Sequence, residues 1–193
     1  MFHEAENTGS DPVVVHGIGV RVKGQRRARG WSMRELARRA GVSQPFVSKL
    51  ESAQLVPSIA TLYALADALG VSPSTLLPPT GGPDAADGDG LHLPLVDGDG
   101  PEHATLVAGG SGKTLQAYEF RLSRGEGDTA YFRHGGEEFV YVVAGGIRCE
   151  REGLDDLELV AGASFSIDPT VPHRWRATTD AVTFLLVCSE IEH

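Results

Sequence analysis

The sequence predicts a two-domain protein of the α + β class, with a helical domain over residues 13–77 and an antiparallel β-domain over residues 91–193. Residues 13–77 carry apolar side chains at spacings of three and four and few glycines, which is typical of packed helices. Residues 91–193 contain short apolar runs separated by turn signals, which is typical of a sandwich or barrel. Between the two, residues 78–90 contain only Pro, Thr, Gly, Asp and Ala, and this composition predicts a flexible acidic linker.

The charge of the chain differs sharply between the two predicted domains. The formal net charge is −9, but residues 13–77 hold nine Lys and Arg against three Asp and Glu. Residues 78–193 hold eight basic side chains against twenty acidic ones. Because phosphate neutralisation needs a basic face, any nucleic acid is expected to bind the helical domain rather than the β-domain.

Other features exclude several classes of protein. No stretch approaches the roughly 18 uncharged apolar residues of a membrane span, and the N-terminus lacks the basic and apolar regions of a signal peptide. The two cysteines, Cys149 and Cys188, are too few for a disulfide framework or a thiolate zinc site. We therefore expect a cytoplasmic protein with two buried reduced thiols and a disordered tail at residues 1–12.

Capping signals divide the helical domain into short helices. Ser32 and Glu35 form a capping box, and Gly41 is placed to end the helix that follows. Ser43 then caps a new helix with Pro45 in its first turn, where a missing N–H costs nothing. Two short helices joined by a tight turn predict a helix-turn-helix. Later helices are predicted from Pro57-Ser58 to Leu69, before Gly70, and from Ser72-Pro73 onward.

A specific residue pattern accompanies these helices. Residues 36–51 read L-A-x-x-A-G-V-S-x-x-x-V-S-x-x-E, and residues 62–71 read L-x-x-L-A-x-A-L-G-V after Pro-Ser at 57–58. This pattern resembles the five-helix, lambda-repressor-like DNA-binding domain of phage-repressor (XRE-type) regulators. The resemblance implies that residues 43–50 form a recognition helix lying in the major groove of a double-stranded DNA operator.

The same resemblance implies which residues contact DNA. Gln44 can offer a bidentate amide to adenine, and Lys49 can reach guanine or a phosphate. Glu51, in contrast, is expected to be an internal structural partner. The predicted DNA-binding set is Ser43, Gln44, Pro45, Phe46, Ser48 and Lys49, with Arg26, Arg27, Arg34 and Arg38 as backbone clamps.

In the β-domain, five runs read as strands: LQAYEFRL, EEFVYVVAG, ASFSI, HRWRAT and AVTFLLVC. The segment GGSGKT at residues 109–114 lacks the spacing of a phosphate-binding loop, so a hairpin turn is expected there. Five histidines are expected to be solvated in tails or turns: His3, His16, His92, His103 and His193.

Three residues of this domain could bind a metal ion. In a strand, residues of equal parity share a face, so His134 and Glu138 are expected to point the same way, while Glu137 faces outward. With His173 they make up two imidazoles and one carboxylate, the minimum set for a divalent metal with open coordination positions. The residues do not distinguish iron, zinc, manganese and nickel. They equally allow a metal-free site in which the three side chains hydrogen-bond a ligand or each other.

The spacing of these residues is similar to that of the cupins, which are double-stranded β-helix (jelly-roll) barrels. His134, Glu138 and Gly145 match the second histidine, glutamate and final glycine of the first cupin motif, whose first histidine position is Phe132 here. In the second motif only Gly162 and His173 match. Side chains expected near a bound effector are Tyr118, Phe132 and Trp175, the last on the same strand face as His173.

Two functions remain open after this comparison. One is a transcription regulator, a homodimer pairing through Phe139, Tyr141 and Val143, whose barrel binds a small effector or metal. The other is a non-haem iron oxidoreductase resembling hydroxypropylphosphonate (fosfomycin) epoxidase, with a metal-free isomerase-like cupin as a further alternative. An enzyme needs only a scaffold in its helical half, so the basic helical domain with its polar recognition face favours the regulator.

Overall fold

In the computed structural model, the described residues are 12–78, 91–94, 103–128 and 131–189. Residues 1–11 of the tail predicted over 1–12, and residues 79–90 of the linker predicted over 78–90, lie outside this part of the chain, and Pro12 belongs to a helix rather than to a tail. The helical domain has five helices there: α1 Pro12–Ala28, α2 Met33–Ala40, α3 Gln44–Glu51, α4 Ile59–Leu69 and α5 Pro73–Leu76. None of the described helices is long and apolar enough to cross a membrane.

The predicted helix-turn-helix is confirmed at the level of its caps. The Ser32 side chain accepts a hydrogen bond from the Glu35 amide at 3.1 Å, and Ser43 accepts one from the Phe46 amide at 3.2 Å. Gly41 ends α2 with φ of 69°, in the left-handed region that favours glycine. The turn between α2 and α3 is therefore fixed by local residues, as the sequence predicted.

Helix α4 lies at the centre of the helical domain. It begins at the Ser58 cap and ends at Gly70, as predicted, and it packs against both α2 and α5. Its apolar positions recur every three or four residues, so one face is buried over its whole length. The buried residues of α4 are Ile59, Leu62, Tyr63, Leu65, Ala66 and Leu69.

The second domain consists of two antiparallel sheets. Numbered in chain order, the strands of the described residues begin at Leu91 (β1), His103 (β2), Leu115 (β3), Glu138 (β4), Gly146 (β5), Leu157 (β6), Ser164 (β7), His173 (β8) and Val182 (β9). Six of them form one sheet in the order β1-β2-β3-β9-β4-β7, and three form the other in the order β6-β5-β8. The five predicted strands correspond to β3 Leu115–Leu122, β4 Glu138–Ala144, β7 Ser164–Ile167, β8 His173–Ala177 and β9 Val182–Ser189. Four others were not predicted: β1 Leu91–Pro94, β2 His103–Ala108, β5 Gly146–Arg151 and β6 Leu157–Val160.

Alternate residues of the long strands point into the space between the sheets. Strand β9 buries every second residue, and the stacked rings of Phe120 and Phe184, 4.6 Å apart, lie at the centre of the large sheet. Trp175 belongs to the small sheet, and its ring centroid lies 6.1 Å from that of Phe184. These contacts form the core of the barrel and leave one end for polar residues.

Two expectations about turns had different outcomes. The segment at 109–114 is a turn between β2 and β3, closed by the buried Gln116 side chain, which accepts from the Gly110 amide at 2.7 Å. The expected location in tails or turns was wrong for three histidines, since His16 lies in α1, His92 in β1 and His103 in β2, whereas the expected exposure of His16 is confirmed. The half-buried His92 ring contacts Thr105 Oγ1 at 3.0 Å across the β1–β2 ladder. His3 and His193 lie outside the described residues.

Candidate metal centre and nucleic-acid interface

The structure brings His134, Glu138 and His173 together at one end of the barrel. His134 Nε2 lies 2.8 Å from Glu138 Oε2, and His173 Nε2 lies 3.5 Å from Glu138 Oε1. Each of the three residues offers one possible ligand atom, and these three atoms all lie within 4.8 Å of one another. Glu138 and His173 are buried, and the His134 side chain is only 9% exposed. The three predicted ligands thus form one cluster.

Hydrogen bonds to the backbone define the tautomer of both histidines. His134 Nδ1 lies 2.9 Å from the Gly135 carbonyl oxygen, and His173 Nδ1 lies 2.8 Å from that of Val171. Since a carbonyl oxygen only accepts hydrogen bonds, Nδ1 must carry the proton in each ring. Nε2 is therefore the nitrogen of each ring that faces Glu138; it can donate a proton to that carboxylate or, when it carries none, offer its lone pair to a cation. The outer hydrogen bond, from Nδ1 to a carbonyl oxygen, is the arrangement usual in metal-ligating histidines.

His134 reaches the cluster by a different route from the one predicted. It does not lie on a strand, because residues 133–137 form a bend before β4 begins at Glu138. In a regular strand, residues four apart are about 13 Å apart and could not share one ion. Gly136 makes the bend with φ of 93°, and a Cβ there would lie 1.9 Å from the Ser189 carbonyl oxygen. The alternation of faces along a strand is therefore not what brings His134 to Glu138, although the two side chains do lie together as expected. Glu137 is exposed, as predicted.

The electrostatics of the cluster centre on the Glu138 carboxylate. Burial alone would raise the pKa of Glu138, but contacts with His134 and His173 outweigh it and hold the pKa at about 2. Burial would likewise lower the pKa of His173, but the adjacent carboxylate outweighs it and raises that pKa. Trp175 Nε1 also donates to Glu138 Oε1, at 3.3 Å. A stable anion between two imidazole nitrogens is the charge distribution that attracts a cation.

These observations test whether a divalent metal fits the residues present. His173 Nε2 is completely buried and has no hydrogen-bond partner among the described residues. Leaving a buried polar atom unpaired costs roughly 1–3 kcal/mol, and a metal ion would remove that cost. Two imidazoles and one carboxylate are also ligand types that iron, zinc, manganese and nickel accept. The residues therefore fit a divalent ion.

The side chains expected near an effector surround this cluster. Phe132 pairs with His173 through an isolated β-bridge, and its ring centroid lies 4.5 Å from that of His173. Trp175 and Tyr118 are buried, with Tyr118 on the inward face of β3 beside Leu186 of β9. Phe132 and Trp175 thus lie beside the cluster and Tyr118 lies inside the barrel, and contact of the three with an effector stays a prediction.

Two buried residues near the cluster were missed by sequence reasoning. Asp128 accepts a hydrogen bond from the Trp175 amide at 3.0 Å, and burial raises its pKa to about 7. Tyr63, from α4 of the helical domain, lies with its ring centroid 4.8 Å from that of His134. Tyr63 follows the helical apolar period, so nothing in the residue pattern indicates that it contacts the other domain.

Helix α3, the predicted recognition helix, has a polar outer surface. Gln44, Pro45 and Lys49 are exposed, together with the Ser43 cap, while Val47 and Leu50 on the opposite side are buried. Ser48 and Phe46 are half-buried, and Phe46 packs partly against the core. Arg27 and Arg34 are exposed on α1 and α2. Arg38 is exposed as well, although Glu35 binds its guanidinium at 2.8 Å.

The structure corrects the role expected for Arg26. Its guanidinium is buried and makes two bonds to Glu51, Nε to Oε1 at 2.6 Å and one terminal nitrogen to Oε2 at 2.7 Å. The other terminal nitrogen donates to the Trp31 carbonyl oxygen at 2.6 Å. A side chain engaged in this way is not available to a phosphate, so Arg26 is not a backbone clamp. The expectation that Glu51 is an internal partner is confirmed.

Comparison with known proteins agrees with both domains. Residues 22–76 match the helix-turn-helix family, and residues 118–189 match the cupin domain family. An uncharacterized HTH-type transcriptional regulator of Sinorhizobium fredii, y4dJ, is 46% identical over 55 residues, which are 71% of its length. The chain belongs to the helix-turn-helix transcriptional regulators. The regulator PuuR of Escherichia coli is similar over both domains, with 26% identity across 85% of this chain and 89% of its own.

Solved structures show the same architecture. An HTH_3 family transcriptional regulator from Vibrio cholerae has a TM-score of 0.67, with 21% identity over 94% of this regulator and 99% of that chain. Hydroxypropylphosphonic acid epoxidase from S. wedmorenis has a TM-score of 0.41, with 21% identity over 92% of this chain and 100% of its own. That score is too low to support an inference, so the oxidoreductase alternative still rests on the residue types of the triad.

Proposed function

We propose that the regulator binds a specific DNA operator through α3 and that its barrel senses a divalent metal, a small effector or both. The exposed polar surface of α3 is the observation that carries this proposal. Gln44 and Lys49 are exposed about 1.4 turns apart, while the opposite side of the helix is anchored by Val47 and Leu50. In this geometry an amide and an ammonium group can enter the major groove together.

The exposed arginines would add contacts to the DNA backbone. Arg27 and Arg34 lie on the two helices adjoining α3 and are exposed. Each phosphate neutralised by a basic side chain releases counterions, which makes the affinity fall with salt concentration. The acidic barrel repels phosphate, so binding should be strongly dependent on ionic strength.

The barrel would hold its ion through His134, Glu138 and His173, with Nδ1 of each histidine fixed by a backbone carbonyl. A bound divalent ion would supply a Lewis-acidic point for an anionic or carbonyl-bearing effector. Phe132 and Trp175 would pack against such an effector, because both rings lie beside His173.

A homodimer would bring two recognition helices to a pseudo-palindromic operator. Strand β4 exposes Phe139, Tyr141 and Val143 on the face opposite Glu138, at 41%, 40% and 49%. Neighbouring β9 continues this apolar strip with Val187 and Leu185, which are paired with Phe139 and Tyr141. An apolar strip across adjacent strands is a surface that pairing with a second copy would cover.

The DNA contacts are tested with a labelled fragment of the gene's own upstream region and fluorescence anisotropy. The double variant Gln44→Ala with Lys49→Ala should lose at least tenfold in affinity, since each good base contact contributes about 1–3 kcal/mol. Lys113→Ala removes one positive charge from the barrel turn and serves as the control, with thermal melting to verify folding. Unchanged affinity in the double variant would overturn the assignment of α3.

The metal is tested by elemental analysis of natively purified protein. About one divalent ion per chain is expected, and His134→Ala should reduce it strongly, because the cluster would lose one of three ligands. Replacing the surface residue His16, which is exposed on α1, is the matched control. Native protein without metal would favour the metal-free site, in which the three side chains bind a ligand directly.

A further inference from the structure

One side chain of the DNA-binding domain lies inside the end of the barrel. Tyr63, from the middle of α4, is only 6% exposed although it lies outside the barrel in sequence. Its hydroxyl lies 3.2 Å from the Cys188 sulfur, and its ring centroid lies 4.8 Å from that of His134 and 6.3 Å from that of Phe132. These contacts join the helical domain to the barrel.

The hydroxyl of Tyr63 reaches Cys188 on β9, the strand that pairs with β4 at Glu138. Cys188 and Glu138 are Cα partners in the β4–β9 ladder, and both are buried on the inward face. The ring of Tyr63 covers His134 while its hydroxyl reaches Cys188. A molecule approaching the cluster from the side of α4 therefore meets the phenol first.

The other side of α4 is held firmly by the DNA-binding domain. Leu62, Leu65 and Leu69 are buried at helical spacing, and α4 packs against α2, the first helix of the helix-turn-helix. Helix α2 in turn packs against α3. A displacement of Tyr63 would therefore be carried through α4 and α2 to the recognition helix, because packed helices move as units.

Metal binding has consequences for the spacing of the side chains in the cluster. Ligand atoms about 2.1 Å from one ion, at 90–109° to each other, lie about 3.0–3.4 Å apart. In the structure one pair is closer, at 2.8 Å between His134 Nε2 and Glu138 Oε2, and the group extends to 4.8 Å. Binding one ion at those distances would change the spacing of the three side chains, and the ring of Tyr63 is packed against one of them, His134.

We propose that the triad is a site shared by both domains, in which Tyr63 senses occupancy by a metal ion or its ligand and transmits it to the helix-turn-helix. This inference rests on the proposed metal site. It assigns to Tyr63 the role of a positioning residue, since it contacts the ligand set rather than the DNA. Occupancy would change how α4 sits on the barrel, and DNA affinity would change with it.

The first test measures domain contact without DNA, using alkylation of Cys188 by iodoacetamide followed by peptide mass spectrometry. Cys188 and Cys149 are both buried and are the two cysteines of the chain. Tyr63→Ala should accelerate alkylation of Cys188 at least about tenfold and leave Cys149 unchanged, since Cys149 lies on β5 in the other sheet. Tyr63→Phe keeps the ring packing and should give a smaller increase. Equal rates in all three proteins would overturn the inference.

The second test adds Co²⁺, whose binding is followed by visible absorbance. In the wild type, Co²⁺ should change both the Cys188 alkylation rate and the Kd for operator DNA, the latter by about fivefold or more. In Tyr63→Ala, Co²⁺ should still bind, but the Kd for DNA should change less than about twofold. Tyr131→Phe removes the hydroxyl of an exposed tyrosine and should behave as wild type.

The outcomes separate this inference from the proposed function. Co²⁺ binding that leaves wild-type alkylation and DNA affinity unchanged would overturn the inference while the metal site stands. Failure of Co²⁺ to bind would overturn the metal site itself. A Co²⁺-dependent alkylation rate that Tyr63→Ala abolishes would support the shared site, even if the DNA fragment were not bound.

Discussion

Substitution of the adjacent arginines at positions 26 and 27 should affect different properties: thermal stability at Arg26 and DNA affinity at Arg27. The side chains of Arg26 and Glu51 are 8% and 1% exposed and are joined by two hydrogen bonds. Arg26→Met would leave the Glu51 carboxylate buried without its partner, which costs about 3–5 kcal/mol. For a domain of this size each kcal/mol lowers the Tm by about 4–8 °C, so a loss of more than about 12 °C is expected.

The assay combines thermal melting by circular dichroism with anisotropy titrations at several salt concentrations. Arg27→Met should leave the Tm within a few degrees and reduce the slope of log K against log salt by about 1, because it removes one phosphate contact. The double variant Arg26→Met with Glu51→Leu should recover most of the Tm, since replacing both partners of a buried ion pair by apolar residues is often neutral.

The reasoning would be refuted by an Arg26→Met protein with wild-type Tm and a reduced salt slope. That result would make Arg26 a phosphate clamp after all. A double variant as unstable as Arg26→Met alone would show that the loss comes from packing of the arginine stem rather than from the unpaired carboxylate.

Three further predictions concern the barrel. Gly136→Ala should weaken Co²⁺ binding about 10–100-fold by displacing the His134 bend, whereas Gly153→Ala, which has φ of 76° and open space, should not; equal affinities would contradict this. Asp128 has its pKa raised to about 7, so the folded state retains a proton there and the metal-free protein should lose stability as pH rises from 4 to 7. Asp128→Asn should flatten that dependence and raise the Tm at pH 8, as measured by melting in chelator; parallel curves would count against it. Phe139→Asp should convert the proposed dimer to monomer in light scattering, with Arg121→Asp as the surface control, and an unchanged mass would exclude the β4 strip as the interface.

Local signals explain why four helices of the helical domain, α2 to α5, could be placed from the sequence, whereas no cap or stop signal placed α1. Caps such as Ser32, Ser43 and Gly41 act within a few residues, so the chain itself specifies where α2 and α3 begin and end. Length does not explain which strands were missed, because β2 and β5 have six residues each while the predicted β7 and β8 have four and five. The pairing of the missed strands depends on partners far along the chain, and a single sequence does not show those partners.

Sequence alone determined the two domains, the helix-turn-helix, and the identity of the three clustered residues His134, Glu138 and His173. Tertiary structure decided how these residues meet, because the bend at Gly136 depends on the close approach of the Ser189 carbonyl. It also decided that Arg26 is buried against Glu51, and that the ring of Tyr63, on a helix of the other domain, packs against His134 of the cluster. Periodicity shows that a side chain is buried, but only the packing of distant elements shows what it is buried against.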